Sequence, residues 1–80
     1  MENKKLDLHG TRYDSAESKI IRFIEDNWDA NSDLEIITGH SKEMKSIVIE
    51  ILNEYKLKYR IGDFAGLNKG FIVISMDYNI

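Results

Sequence analysis

A repeated change of hydrophobic period limits the folds open to this chain. Leu6 and Leu8 alternate with Asp7 and His9, the period of a strand with one buried face. Asp14-Ser15-Ala16-Glu17 has the spacing of a capping box, and Ala16, Ile20, Ile21, Phe23, Ile24 and Trp28 then keep a helical period, so a helix is expected over about 14–29. Trp28 completes that stripe and is expected in the core. Leu34 to Thr38 is apolar on both faces at Ile36 and Ile37, as a central strand would be. Ser41 can cap a second helix, in which Met44, Ile47, Val48, Ile51, Leu52 and Tyr55 recur at three and four. Lys58 to Phe64 sets Tyr59 and Ile61 opposite Lys58 and Arg60, and Phe71 to Met76 is nearly all apolar. These read as a third and a fourth strand, joined by the turn-forming run Ala65-Gly66-Leu67-Asn68-Lys69-Gly70.

The order βαβαββ implies right-handed parallel crossovers for the first three strands and an antiparallel return for the fourth. Two helices suffice for one layer, so the expected fold is an α/β two-layer sandwich: a four-stranded mixed sheet with both helices on one face. The other face is left open. No linker, repeat or low-complexity stretch divides the chain, and residues 1–80 are read as a single domain. With 80 residues its core is small, and its stability should fall at roughly 4–12 kcal/mol.

Composition narrows the classes of function. There is no cysteine, which excludes a disulfide framework, a thiolate zinc site and a catalytic thiol. No apolar run approaches the roughly 18–20 residues of a membrane span, and the start at Met1-Glu2-Asn3-Lys4-Lys5 leads into a strand pattern rather than a signal core. The chain is therefore expected to have no membrane partner and to stay in the cytoplasm. A net charge of −3 argues against attraction to nucleic acid over the whole surface, so any phosphate binding must rest on a local basic patch. Glu25, Asp26, Asp29, Asp33 and Glu35 form a stretch without a base, best read as a solvated turn at the rim away from the histidines.

Ligands of open α/β sheets gather at the carboxyl ends of parallel strands. Both histidines fall there, His9 after the first strand and His40 after the second, so the expected topology brings loops 9–13, 38–42 and 65–70 to one rim. Two of these loops begin helices, whose free N–H groups and positive dipole ends favour anions such as phosphate. Phosphodiester hydrolysis needs a group to activate the nucleophile, charge stabilisation on the phosphoryl oxygens and protonation of the leaving oxygen. Asp7 and His9 project to the same side of one strand, so Asp7 can orient His9 or help hold a metal, and His9 is the candidate for acid or base work. The plain alternative is a surface aspartate and a histidine that hydrogen-bonds the neighbouring turn. His40 can donate to a phosphate or complete an acid–base pair, or else be a polar residue at a helix start beside the capping Ser41. Gly39 either admits close backbone approach to a ligand or supplies a positive φ. Arg12, Lys42, Lys45 and Lys69 are the basic residues expected on or near this rim to meet backbone phosphates. Tyr13, Phe64 and Tyr78 offer faces for base stacking, although Phe64 at a strand end also suits the core. No His, Asp or Glu spacing forms a dedicated metal site, so a Mg²⁺ or Mn²⁺ ion would be held by Asp7 and substrate phosphates.

Leu6-Asp7-Leu8-His9-Gly10, with an acidic helix start after it at Glu17, resembles the first signature of the Smr domain, the small MutS-related module. Ile37-Thr38-Gly39 with His40-Ser41 resembles its second signature, the glycine loop before the second helix. The similarity runs from about residue 5 to residue 76 in the same element order. It implies a nucleic-acid-binding domain and, as in several family members, a nuclease or nicking activity on DNA or RNA. Carried over by residue, Asp7 and His9 match the polar positions of the first motif, Gly10 its glycine, and Thr38 and Gly39 the start of the second. The second loop is shorter than the family's usual Gly-x-Gly turn, His40 standing directly after Gly39. Two other functions are open: a non-catalytic nucleic-acid-binding module, if that loop is too short for turnover, or a protein-interaction adaptor using the open sheet face and the acidic end, which the net negative charge and the lack of a large basic stripe allow. With no neighbouring domain in the chain, targeting falls to this domain or to a protein partner.

Overall fold

All six elements expected from the hydrophobic periods form in the computed structural model, which describes residues 4–28, 32–62 and 70–76. They are β1 (Lys5–Asp7), α1 (Tyr13–Asp26), β2 (Asp33–Ile37), α2 (Lys42–Glu54), β3 (Lys58–Ile61) and β4 (Phe71–Ser75). The sheet order is β1-β2-β4-β3. β1 pairs with β2 in parallel, and β4 runs antiparallel to both β2 and β3. The crossover through α2 therefore skips one position, and β4 fills the gap it leaves.

Strand alternation decides which face the helices cover. Leu34 and Ile36 of β2 and Ile72 and Ile74 of β4 are buried on one side, where they join Ala16, Ile20, Phe23 and Ile24 of α1 and Met44, Val48, Ile51 and Leu52 of α2. Burying each large aliphatic side chain contributes about 1.5–3 kcal/mol. On the helix-free face, Lys5, Glu35, Val73 and Arg60 stand in one cross-strand row. β2 lies between β1 and β4, the central place expected of it.

The ends of the elements depart from the sequence reading. α1 starts at Tyr13 with Arg12 as N-cap and no side-chain cap bond, so the expected capping box does not form. Asp14 lies within the first turn, where its carboxylate faces Arg12 Nε at 3.6 Å. The helix ends at Asp26, and at its C-cap Asn27, itself buried, turns its amide back to donate to the Phe23 carbonyl at 2.9 Å. That stop takes Trp28 out of the helical stripe. Expected in the core, Trp28 is instead 38% exposed, its ring tilted against Tyr55 at 6.0 Å between centroids. Ile61 sits on the helix-facing side of β3 yet is exposed, since it lies on an edge strand. Phe64, Lys69, Tyr78 and all of loop 65–70 but Gly70 lie outside the described residues.

Candidate nucleic-acid interface

The site is built by two tight turns at the carboxyl ends of the parallel pair β1 and β2. Leu8 continues the parallel ladder by donating its N–H to the Ile37 carbonyl at 2.8 Å, and buries its side chain. The chain then reverses: Thr11 N–H donates to the Leu8 carbonyl at 2.9 Å, and Gly10 takes φ +81°, a conformation that favours glycine. His9 is left exposed at the tip of this turn. Its backbone N–H donates to Asp7 Oδ1 at 2.9 Å. Asp7 thus braces the turn through the main chain of His9, rather than through its imidazole.

The second turn is tied down by Gly70. Thr38 and Gly39 both donate their N–H groups to the Gly70 carbonyl, at 2.7 and 3.0 Å. The hydroxyl of Thr38 is buried within 3.2 Å of the same oxygen and 2.9 Å of the Gly39 carbonyl. Gly39 has φ +69°, and a Cβ on it would lie 3.3 Å from His9 Cδ2. The imidazole of His9 therefore rests on the bare backbone of Gly39. Ser41 then caps α2, as expected, by accepting the Met44 N–H at 3.1 Å. Its hydroxyl also meets the Tyr13 hydroxyl at 2.8 Å, which joins the starts of the two helices.

Between the turns is a pocket of about 420 Å³. Of the residues singled out from sequence, His9, Gly10, Arg12, Thr38, Gly39, His40 and Ser41 all line it. Asp7 stands beside the first turn and does not line the pocket. Lys42 and Lys45 belong to the first turn of α2, just beyond the pocket wall. Gly70 brings the end of the third loop to the second turn, as the topology requires. Tyr13, Thr11, Leu8 and Met44 complete the lining; Leu8 and Met44 belong to the core stripes, so no polar pattern singles them out. Tyr13 is named from sequence only as a face for base stacking. Its bond to a hydroxyl 28 positions away has no local signature.

A larger depression of about 720 Å³ lies across the helix-free face. Lys5, Asp33, Glu35 and Arg60 alternate in sign there, and Asp33 pairs with Arg60 at 3.6 Å, so it offers no concentrated positive charge to a phosphate chain. Among the described residues no three His, Asp or Glu side chains gather as a metal site. No helix among them is long and apolar enough to cross a membrane.

A mixed sheet with helices on one face and two glycine turns meeting at its parallel edge define the class. The family model of the Smr domain matches residues 6–76, and the chain belongs to that family. No curated protein and no solved structure matches it.

Proposed function

We propose that this Smr domain binds nucleic acid where β1 and β2 run into their helices, and that His9 handles the proton in cleavage of a phosphodiester. The observation that carries the reading is the seat of His9 on Gly39. An exposed imidazole supported from below by a residue with no side chain is held at the mouth of a pocket whose rim carries Arg12 and His40. A phosphodiester entering there meets an acid–base group and two nitrogen donors. One new P–O bond forms as the attacking oxygen arrives and the leaving P–O bond breaks; His9 accepts the proton of the nucleophile or delivers one to the leaving oxygen. Asp7 positions His9 through the backbone. Lys42 and Lys45 supply charge for flanking phosphates, which suits a chain whose net charge of −3 demands a local patch.

Binding without cleavage is the second reading, and it too has an observation in its favour. The N–H groups of Thr38 and Gly39 are spent on the Gly70 carbonyl, so they do not cradle phosphoryl oxygens. Charge stabilisation then falls to Arg12 and His40 alone.

Both readings are tested by incubating labelled single-stranded, duplex and branched DNA and RNA with the protein in Mg²⁺, Mn²⁺ or EDTA, beside His9→Ala. Binding by both proteins, with nicking by the wild type only, is the expected result. A fully active His9→Ala protein removes the catalytic assignment, and binding with no cleavage by the wild type selects the second reading. Arg12→Ala and Lys42→Ala should each flatten the log–log salt dependence of binding by about 0.7–0.9.

A further inference from the structure

Tyr13 separates two depressions of opposite character. One side of it belongs to the histidine pocket. The other belongs to a groove of about 280 Å³ between α1 and α2, whose walls carry Asp14, Glu17, Glu50 and Glu54. The residue is 47% exposed, although its ring is large and apolar, and its hydroxyl is held by Ser41 at 2.8 Å.

We infer that Tyr13 stacks an unpaired nucleobase, so that the site prefers single-stranded or looped nucleic acid to a perfect duplex. The inference rests on the nucleic-acid reading above and names its substrate class. A phenol pinned at both ends has little rotamer freedom left to lose, so base stacking on it is cheap in entropy. The carboxylates behind the ring repel phosphates, which directs a strand onto the ring from the histidine side only. A base resting on Tyr13 leaves its own phosphate near Arg12 and His9, residues of the same pocket. Paired bases inside a duplex have both faces covered by their neighbours and have none to offer.

The test is fluorescence anisotropy with a labelled twelve-nucleotide single strand, an abasic strand of equal length and a blunt duplex, using wild type, Tyr13→Leu and Tyr13→Phe. Stacking on one aromatic ring predicts that wild type binds the single strand about tenfold more tightly than the abasic strand. Tyr13→Leu should erase that difference, and Tyr13→Phe should retain most of it. A wild type that binds abasic and normal strands alike overturns the inference without any variant, so failure of Tyr13→Leu to fold does not protect it. A Tyr13→Leu protein that still discriminates against the abasic strand overturns it as well. Either result, with nucleic-acid binding intact, leaves the broader function standing, whereas a wild type that binds no strand removes both.

Discussion

His9 and Gly39, in the turns that follow β1 and β2, are packed so that the imidazole of one crowds the place a side chain on the other would take. A Cβ on Gly39 would approach His9 Cδ2 to 3.3 Å, and the glycine also holds φ +69°. Gly10 shares the second property, with φ +81°, but nothing lies within 4 Å of its missing Cβ. The pair separates strain from displacement. Gly39→Ala and Gly10→Ala should each cost about 1–2 kcal/mol for an L-residue in the left-handed region. By thermal unfolding that is a Tm lower by about 4–8 °C per kcal/mol in a domain of this size. Gly39→Ala alone also pushes the imidazole, so at equal folded fraction it should lower nicking, or shift the His9 ring signals in NMR, more than Gly10→Ala does. Equal effects of the two variants on His9 would show that the contact does not position the ring.

The Tyr13 and Ser41 hydroxyls make a second link between the same two loops, and it can be measured as a coupling. Ser41→Ala removes both the cap on Met44 and the partner of Tyr13, with an expected cost of about 0.5–2 kcal/mol. Tyr13→Phe removes only the hydroxyl–hydroxyl bond, about 0.5–1.5 kcal/mol. Because they share one interaction, the double variant should be less destabilised than the two single losses added together, by about 0.5 kcal/mol or more in chemical denaturation. Strict additivity would mean that the two helix starts are not coupled through this bond.

Local periodicity made much of this fold legible. The apolar repeat from Met44 to Tyr55 can bury a stripe only as a helix, and the apolar run at Ile36 and Ile37 suits the place of β2 between two neighbouring strands. The insertion of β4 between β2 and β3 was not legible, because strand order depends on pairings between distant segments rather than on any one period. Trp28 illustrates the same limit: its spacing continues the α1 stripe, but the helix stops at Asp26, before reaching it. In the site, Leu6-Asp7-Leu8-His9-Gly10 marks the first turn and Thr38-Gly39 the second. The seat of His9 on Gly39 and the capture of two N–H groups by Gly70 are contacts between loops, which leave no mark in either loop alone.

Gly62 and Phe71 face each other at the end of the β3–β4 ladder, where Gly62 N–H donates to the Phe71 carbonyl at 2.9 Å. A Cβ on Gly62 would overlap the Phe71 ring, so the ring fills the place of the missing side chain. Gly62→Ala must displace it, at an expected cost of about 1–3 kcal/mol from overpacking. Phe71→Leu in the same background should recover part of that loss, since a smaller side chain relieves the overlap. Urea midpoints for the single and double variants check this; a Gly62→Ala protein as stable as wild type would mean that the ring moves aside freely.

Lys56 offers a change in the other direction. Past the end of α2, Leu57 N–H donates to the Leu52 carbonyl at 2.9 Å and Lys56 N–H to the Asn53 carbonyl at 3.1 Å, the paired bonds of a Schellman turn. Such a turn needs a left-handed residue, and Lys56 supplies it with φ 57°, the only non-glycine among the described residues with positive φ. The cost of that conformation for an L-residue, about 1–2 kcal/mol, is removed in Lys56→Gly. Glycine's greater freedom in the unfolded chain takes back part of the gain. A net stabilisation of about 0.5–1 kcal/mol is expected, seen as a higher Tm. Lys56 lies in the turn from α2 to β3, at the opposite end of α2 from the cap Ser41, so nucleic-acid affinity should not change with it. An unchanged or lower Tm would mean that the lysine side chain contributes as much in place as its backbone conformation costs.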